Sequence, residues 1–222
     1  LVPRFEYGFD PEYARELVDY WKTKFNWKEQ VNYLNKFPQF KIKINETVIH
    51  YVHVKTNPNK NLRTVPIMLV DGWPGSFFGF YKAIEYFNEN FNDFSFDIVV
   101  PSIPGYMYSN PLNRPLDPMD ASIIFDALAR YLYGENSAYF VHGEDWGGLI
   151  ATSLAQLYPN RVKGIHVTLA VPSDGIDLDT ILYSTLGSVF PDYFFTKEEI
   201  EFNLTGRYSI SSQMKVILKG AG

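Results

Sequence analysis

The chain has 222 residues, 46% hydrophobic and 20% charged, which suits one folded domain with a sizeable core and excludes a disordered chain. Its net charge is −5, from 20 Lys and Arg against 25 Asp and Glu, which argues against nucleic acid as the main partner. The absence of cysteine excludes disulfides, a thiol nucleophile and a cysteine-based metal site. The sequence also predicts no membrane-spanning helix and no signal peptide.

The first sixty residues predict two helices and a β-hairpin. Residues 10–12 read Asp-Pro-Glu, a typical helix start with a capping side chain, a proline in the first turn and an acidic residue beside it. A second, shorter helix is predicted at 28–34. Apolar and polar residues alternate over 39–44 and again over 47–54, on either side of a two-residue turn, and this pattern predicts the hairpin.

The next hundred residues alternate between short apolar strands and helices. The strands are predicted at 66–70, 96–101, 138–141 and 162–169. The helices are predicted at 76–91, at 118–133 and from 147 onward. Such an alternation predicts an α/β fold, with a mostly parallel sheet, right-handed crossovers and helices on both faces. The strands are apolar throughout, as expected when both faces of a sheet are covered.

The pattern changes toward the C-terminus. Residues 177–186 predict a helix, and 196–199 resemble a capping box that opens another one. We interpret these segments as the start of a helical lid over the strand ends. The predicted organisation is therefore an N-terminal helical segment with the hairpin at 1–60, the first part of an α/β core at 61–172 and the start of the lid at 173–222, with the fold truncated in the lid.

The stretch 143–147, Gly-Glu-Asp-Trp-Gly, lies between a predicted strand and a predicted helix. Its G-x-D-x-G pattern is that of a nucleophile elbow with Asp in place of Ser. Glycines suit so sharp a turn because a neighbouring Cβ would clash with the strained central residue. The turn predicts that Asp145 stands at a helix N-terminus, where backbone N–H groups stabilise an anion. An Asp before a helix is equally well interpreted as its N-cap.

A carboxylate nucleophile points to a particular chemistry. It is already ionised at neutral pH, so it needs no base for its first attack. Its attack on an alkyl carbon gives an ester, which suits a strained epoxide or an alkyl halide. If Asp145 is a nucleophile and not a cap, these are its predicted substrate classes.

Six ordered segments carry a family resemblance: Tyr20-Trp21-Lys22, Leu34-Asn35-Lys36-Phe37-Pro38-Gln39-Phe40, Asp71-Gly72-Trp73-Pro74-Gly75-Ser76, Val100-Pro101-Ser102-Ile103-Pro104-Gly105, the elbow, and Gly164-Ile165-His166. They resemble the microsomal-type epoxide hydrolases, enzymes of the α/β-hydrolase fold. Residues 5–9 and 186–191 look most like the insect juvenile-hormone epoxide hydrolases. The resemblance covers nearly all of the chain from residue 5 to about residue 195.

The resemblance implies that a lipophilic epoxide is hydrolysed to a diol through an alkyl-enzyme ester on Asp145. The backbone N–H groups of Trp73 and Trp146 would form the oxyanion hole, and the two indoles are expected to pack in the core. The Trp73–Pro74 bond is expected to be cis. No cofactor is implied, because water is the second substrate. Association with the endoplasmic reticulum membrane is expected through a segment upstream of residue 1.

One departure from the family pattern lies at Asp71, where the family usually has His. If the carboxylate lies near Asp145, the like charges raise the pKa of one of them and weaken the nucleophile. If Asp71 points into solvent, its effect is small. The sequence leaves both arrangements open.

A second departure concerns the hydrolysis of the ester. This step needs a His, oriented by an acid, to activate water, and lid tyrosines to protonate the epoxide oxygen. In this fold the acid and the His follow the lid. The four histidines present are expected to be structural: His50, His53, His142 and His166. Three tyrosines are candidate proton donors by position only: Tyr183, Tyr193 and Tyr208.

Two alternatives stay open at this point. A haloalkane dehalogenase would share the Asp-Trp elbow, but the Phe-Pro-Gln-Phe segment at 37–40 argues against it. The other alternative is a non-catalytic α/β-hydrolase-like protein, or an inactive fragment, that binds a lipophilic ligand. Asp71 and the missing catalytic His favour that second alternative.

Overall fold

A computed structural model of the chain describes residues 5–6, 8–56, 62–91, 93–168 and 193. These residues belong to two compact units, with those up to residue 27 and residue 193 in one and residues 28–168 in the other. Helix α1 (Pro11–Thr23) lies in the first unit. The Tyr13 N–H donates to the Asp10 carboxylate at an N–O distance of 2.8 Å, which confirms the helix start predicted at 10–12.

The second unit begins with the elements predicted for the N-terminal region. Helix α2 (Trp27–Leu34) is followed by strands β1 (Gln39–Ile44) and β2 (Thr47–Lys55). The two strands pair antiparallel across a two-residue turn, so the predicted hairpin is confirmed.

The remaining elements alternate as predicted. They are β3 (Arg63–Val70), a 3-10 turn (Phe77–Phe80), α3 (Tyr81–Asn90), β4 (Phe94–Pro101), α4 (Pro118–Tyr133), β5 (Tyr139–Glu144), α5 (Trp146–Leu157) and β6 (Val162–Thr168). The described strands form one sheet in the order β1-β2-β4-β3-β5-β6. In this order, β4, β3, β5 and β6 pair with their neighbours in parallel, whereas β2 of the hairpin pairs with β4 antiparallel. The predicted mostly parallel sheet is therefore confirmed.

Helices cover both faces of this sheet. Met68 and Val70 of β3 pack in a cluster with residues of α4 and α5, whereas Leu69, which points to the opposite face, packs with residues of the 3-10 turn and α3. Alternate side chains of one strand must point to opposite faces. Both neighbours of Leu69 are fully buried, so the strand has the continuous apolar pattern of a two-sided sheet.

The strands extend beyond their predicted ends. β3 begins at Arg63 and not at residue 66, β4 begins at Phe94 and not at residue 96, and β5 continues to Glu144. Arg63 pairs with Phe94 through the backbone ladder, at the exposed beginning of both strands. Backbone pairing needs no apolar side chain, so hydrophobicity marked only the buried centre of each strand.

The carboxyl ends of β3, β4 and β5 meet at one edge of the sheet, which is where open α/β sheets bind their ligands. The loops that follow begin at Asp71, Ser102 and Asp145. Across the described residues, every helix is too short or too polar to cross a bilayer. The lid helices predicted at 177–186 and after residue 196 lie outside the described residues.

Candidate active site

Asp145 occupies the sharp turn that the sequence predicts. It lies between the last residue of β5 and the first residue of α5, with φ 52° and ψ −119°. A residue other than glycine seldom adopts a positive φ, and holding it there costs about 1–3 kcal/mol. Such strain is concentrated at functional sites, so the backbone itself marks Asp145 as a candidate.

The two glycines of the elbow are required by close backbone contacts. A Cβ on Gly143 would lie 2.0 Å from the carbonyl oxygen of Gly147, and a Cβ on Gly147 would lie 2.0 Å from the carbonyl oxygen of Val70. The strand, the helix and the neighbouring strand β3 therefore meet backbone to backbone. This packing fixes the direction in which the Asp145 side chain leaves the sheet.

Asp145 stands at the N-cap position of α5 without acting as a cap. Its side chain makes no capping hydrogen bond. The backbone N–H of Trp73 donates to its Oδ1 at an N–O distance of 2.9 Å instead. Asp117 shows the ordinary alternative, because its carboxylate accepts the Met119 N–H at 2.7 Å and caps α4. The contacts of Asp145 thus favour a role in chemistry over the capping interpretation.

A second amide lies close to the same carboxylate. A Cβ on Gly72 would lie 2.3 Å from Oδ1 of Asp145 and 2.6 Å from the amide nitrogen of Trp146. Trp146 is the first residue of α5, where an N–H has no partner within the helix. The α-carbon of Gly72 therefore lies against both the candidate nucleophile and a candidate oxyanion donor, and no larger residue fits there.

The Trp73–Pro74 bond is cis, as expected. The expectation that the two indoles pack in the core was wrong. The exposed fraction is 71% for Trp73 and 43% for Trp146. Trp73 lies in the turn after β3 and Trp146 opens α5, so both residues reach the site through their backbone while a large part of each stays exposed.

Asp71 lies under its own turn. Its carboxylate accepts the N–H of Gly72 at 2.7 Å, and the backbone amide of Ser76 also acts on it. Burial raises the pKa of Asp71, the two amide bonds lower it, and the charges of Glu144 and Asp145 raise it further. The solvent-facing arrangement is therefore wrong, and the side chain is held by backbone groups beside the candidate nucleophile.

Sequence reasoning missed Tyr106. It lies in the loop after β4, and the pKa of its phenol is raised first by burial and then by the charge of Asp145. Tyr106 also lines a small cavity together with Asp71 and Gly72. Its position in the sequence could have pointed to it. Tyr106 follows β4, which lies next to β3, so its loop leaves the same edge of the sheet as the loop after β3.

Two histidines lie in the hairpin, and both are held by neighbouring side chains. His50 is 2% exposed, with Nδ1 2.9 Å from the Ser102 hydroxyl and Nε2 2.9 Å from Oε1 of Gln39. Burial, together with the charge of Lys41, lowers its pKa to about 4. Nε2 of His53 lies 2.5 Å from Oδ1 of Asp97. These contacts support the structural roles expected for both.

The other two histidines contact each other. Nδ1 of His142 lies 2.7 Å from Nδ1 of His166, and Nε2 of His142 lies 3.0 Å from Oε1 of Glu144. In the part of the chain that the structure describes, His, Asp and Glu side chains form no cluster suited to a metal ion. Among the candidate proton donors, Tyr193 is 87% exposed, whereas Tyr183 and Tyr208 lie outside the described residues.

Comparison with known proteins identifies the family to which the chain belongs. Residues 2–80 match the family described as the epoxide hydrolase N terminus, and residues 65–209 match the α/β-hydrolase fold. Juvenile hormone epoxide hydrolase 2 of Ctenocephalides felis is 35% identical over 221 residues, which is 98% of this chain and 46% of that protein. Epoxide hydrolase 1 of Sus scrofa is 36% identical over 206 residues, or 89% and 44% of the two chains.

The solved structures give the same result. Juvenile hormone epoxide hydrolase from the silkworm Bombyx mori superposes with a TM-score of 0.79 at 30% identity, covering 93% of this chain and 49% of that one. The Aspergillus niger epoxide hydrolase gives a TM-score of 0.65 at 30% identity, covering 81% and 49%. The chain spans about half the length of the curated relatives it matches. It belongs to the epoxide hydrolase family of the α/β-hydrolase fold.

Proposed function

We propose that this protein hydrolyses a lipophilic epoxide through an ester on Asp145. The observation that carries the proposal is the geometry of Asp145, whose carboxylate is held in a strained turn and accepts the Trp73 N–H instead of capping α5. A carboxylate so placed is directed by the loop after β3 and does not cap the helix behind it. The relatives named as epoxide hydrolases support the same reaction.

In the first step, a carboxylate oxygen of Asp145 attacks a ring carbon of the epoxide. The C–O bond of the ring breaks, and the ring oxygen takes a proton to become the hydroxyl of a hydroxyalkyl ester. In the family a lid tyrosine supplies this proton. We leave that role unassigned, since Tyr193 is the one candidate of the three within the described residues.

In the second step, water attacks the ester carbonyl, and negative charge develops on its oxygen. The N–H groups of Trp73 and Trp146 stabilise that charge, and collapse of the intermediate releases the diol and restores the carboxylate. A base must take the proton from water. We assign this role to none of the four histidines, because each is hydrogen-bonded to a group other than Asp145. The reaction calls for no cofactor.

The substrate class follows from the surroundings of the nucleophile and from the relatives. Trp73, whose N–H binds Asp145, and Trp146, which follows Asp145 in the chain, are both exposed and offer apolar surface. Relatives that carry juvenile hormone in their name point to a lipophilic epoxide of that type.

Resemblance to the microsomal type further supports association with the endoplasmic reticulum membrane, which fractionation of expressing cells would test.

The mass of the trapped ester tests the reaction class. The protein is mixed with a lipophilic terminal epoxide or with the 1-bromoalkane of equal chain length, quenched in acid within one turnover, and weighed intact. An epoxide adds its whole mass, because nothing leaves, whereas a bromoalkane adds its mass less that of HBr. We expect the epoxide adduct to form about tenfold faster than the bromoalkane adduct, or faster still.

The other outcomes select the alternatives. A faster adduct from the bromoalkane would identify a dehalogenase. No adduct from either compound, with folded protein and saturable binding of the epoxide, would identify a non-catalytic binding protein.

A further inference from the structure

The turn at residues 71–76, which we call the oxyanion loop, is held on two sides. On one side the Trp73 N–H donates to Asp145, and the α-carbon of Gly72 lies against the same carboxylate. On the other side the loop closes over the side chain of Asp71. A Cβ on Gly75 would lie 2.3 Å from Oδ1 of Asp71 and 2.5 Å from Oδ2.

The carboxylate of Asp71 joins the two ends of this loop. At the beginning of the loop it accepts the N–H of Gly72 at an N–O distance of 2.7 Å. Toward the end it lies against the α-carbon of Gly75, and the backbone N–H of Ser76 acts on it and lowers its pKa. Trp73, which supplies the N–H to Asp145, lies between these two anchors. Loss of the anchors would release the segment that carries that donor, while the elbow itself would stay fixed by its contacts with β3.

We propose that Asp71 is a positioning residue for the reaction, and that its carboxylate sets the direction of the Trp73 N–H by binding both ends of the oxyanion loop. The proposal rests on the proposed function for its consequence in catalysis. It assigns a role to the residue at which this chain departs from the family pattern.

The chemistry of the side chain explains why a carboxylate serves here. The two oxygens of a carboxylate carry no hydrogens and can accept two backbone N–H groups at once. An asparagine side chain has one accepting oxygen, and its NH₂ group would face the second backbone N–H donor to donor. Alanine offers neither. The Asp71 carboxylate also lies near the charges of Asp145 and Glu144, and this repulsion is unfavourable. A carboxylate at this position therefore needs a compensating role, which its contacts with the loop provide.

The test compares Asp71→Ala and Asp71→Asn with the unaltered protein. Asp117→Ala is the matched control, because Asp117 also accepts a backbone N–H at 2.7 Å but caps α4. Two quantities are measured. One is the rate of ester formation with the terminal epoxide, and the other is the chemical shift and hydrogen exchange of the Trp73 amide, which reports its hydrogen bond without any chemistry.

We expect Asp71→Ala to slow ester formation about 100-fold, as misplacement by about 1 Å does, and to release the Trp73 amide from protection. Asp71→Asn should fall between, with a loss of about tenfold, because it keeps one of the two bonds. Asp117→Ala should change neither quantity. Since Asn keeps the shape of Asp, it also provides the test if the alanine variant does not fold.

An unchanged Trp73 amide and an unchanged rate in a folded Asp71 variant would overturn the proposal. A slower rate with an unchanged amide would also overturn it, because Asp71 would then act by its charge alone. If the unaltered protein forms no ester, the proposed function fails, and the amide signal still decides whether Asp71 holds the loop.

Discussion

Two groups of carboxylates in the second unit differ in the groups that compensate their negative charge. The first is centred on Asp126, which is 1% exposed. It accepts hydrogen bonds from Nε of Arg161 at 2.8 Å, from Nε of Arg130 at 2.8 Å and from the hydroxyl of Tyr139 at 3.0 Å. Two guanidinium groups and a phenol therefore surround one buried acid.

The second group lies at the carboxyl edge of the sheet. Asp145 and Asp71 accept backbone N–H groups, and Glu144 stands beside them as a third acid. Amide dipoles hold Asp145 and Asp71 in place without neutralising them, whereas Glu144 contacts Nε2 of His142. The comparison teaches that charges are paired where they stabilise the fold, and are oriented but left reactive where a bond to substrate is to form.

The largest effect is expected where the charges are paired. Asp126→Ala leaves the guanidinium of Arg161, whose side chain is 12% exposed, without its carboxylate. Removing one partner of a buried ion pair costs about 3–5 kcal/mol, and we expect that loss in the free energy of unfolding measured in urea.

A matched control uses the ion pair between Arg114, whose side chain is 66% exposed, and Asp120, whose side chain is 15% exposed. Arg114→Ala should cost less free energy of unfolding than Asp126→Ala, because one partner of this pair lies largely in solvent. Equal losses of unfolding free energy in Asp126→Ala and Arg114→Ala would show that burial does not make one ion pair more important for stability than the other.

A smaller effect is expected at His50, a buried polar group outside both carboxylate groups. Its pKa is lowered to about 4, so the unfolded chain binds a proton more readily than the folded one below about pH 6.5. Stability should therefore be full above pH 6.5 and fall by about 3 kcal/mol as the pH drops to 4. His50→Gln should remove this part of the slope. Unfolding curves from pH 4 to 7 with the same slope in both proteins would contradict the assignment.

Gly72→Ala tests the reactive group. Its Cβ would lie 2.3 Å from Oδ1 of Asp145, so the carboxylate or the loop must move. We expect about a 100-fold slower ester formation, equivalent to about 2.7 kcal/mol. In the control Gly164→Ala the nearest atom, 3.1 Å away, belongs to the ring of Phe140, which is 43% exposed and can yield. Equal rates for the two variants would mean that close approach at Gly72 is unimportant.

The smallest effect compares two aspartates that precede helices. Asp145→Gly relieves a positive φ and removes no cap, so the free energy of unfolding should rise by about 1 kcal/mol. Asp117→Ala removes the cap of α4 and should lower it by about 1 kcal/mol. Both values come from denaturant unfolding. A loss of stability in Asp145→Gly would mean that Asp145 serves the fold.

Much of this arrangement could be predicted from local sequence. Period-2 alternation gave the hairpin, apolar runs gave the centres of the parallel strands, and Asp10 and Asp117 marked two helix starts. The elbow could be predicted because crowding of backbone around Gly143 and Gly147 leaves few residue choices.

The rest depends on contacts between residues far apart in sequence. The bond from Trp73 to Asp145 spans 72 positions, and no local pattern encodes it. The orientation of Asp71 depends on where Gly75 comes to lie, and the exposure of the indoles depends on how the loop after β3 meets α5. Packing at the strand ends, and not propensity, decides these features.

The central claim is that Asp145 is the nucleophile, and the most direct measurement locates the trapped ester along the chain. The protein is quenched in acid within one turnover of a lipophilic epoxide, digested and sequenced by tandem mass spectrometry. We predict that the epoxide mass lies on Asp145 and that Asp145→Asn, whose side chain tolerates the same backbone, carries none. Label on Glu144 or Asp71, or equal labelling of the variant, would contradict the account.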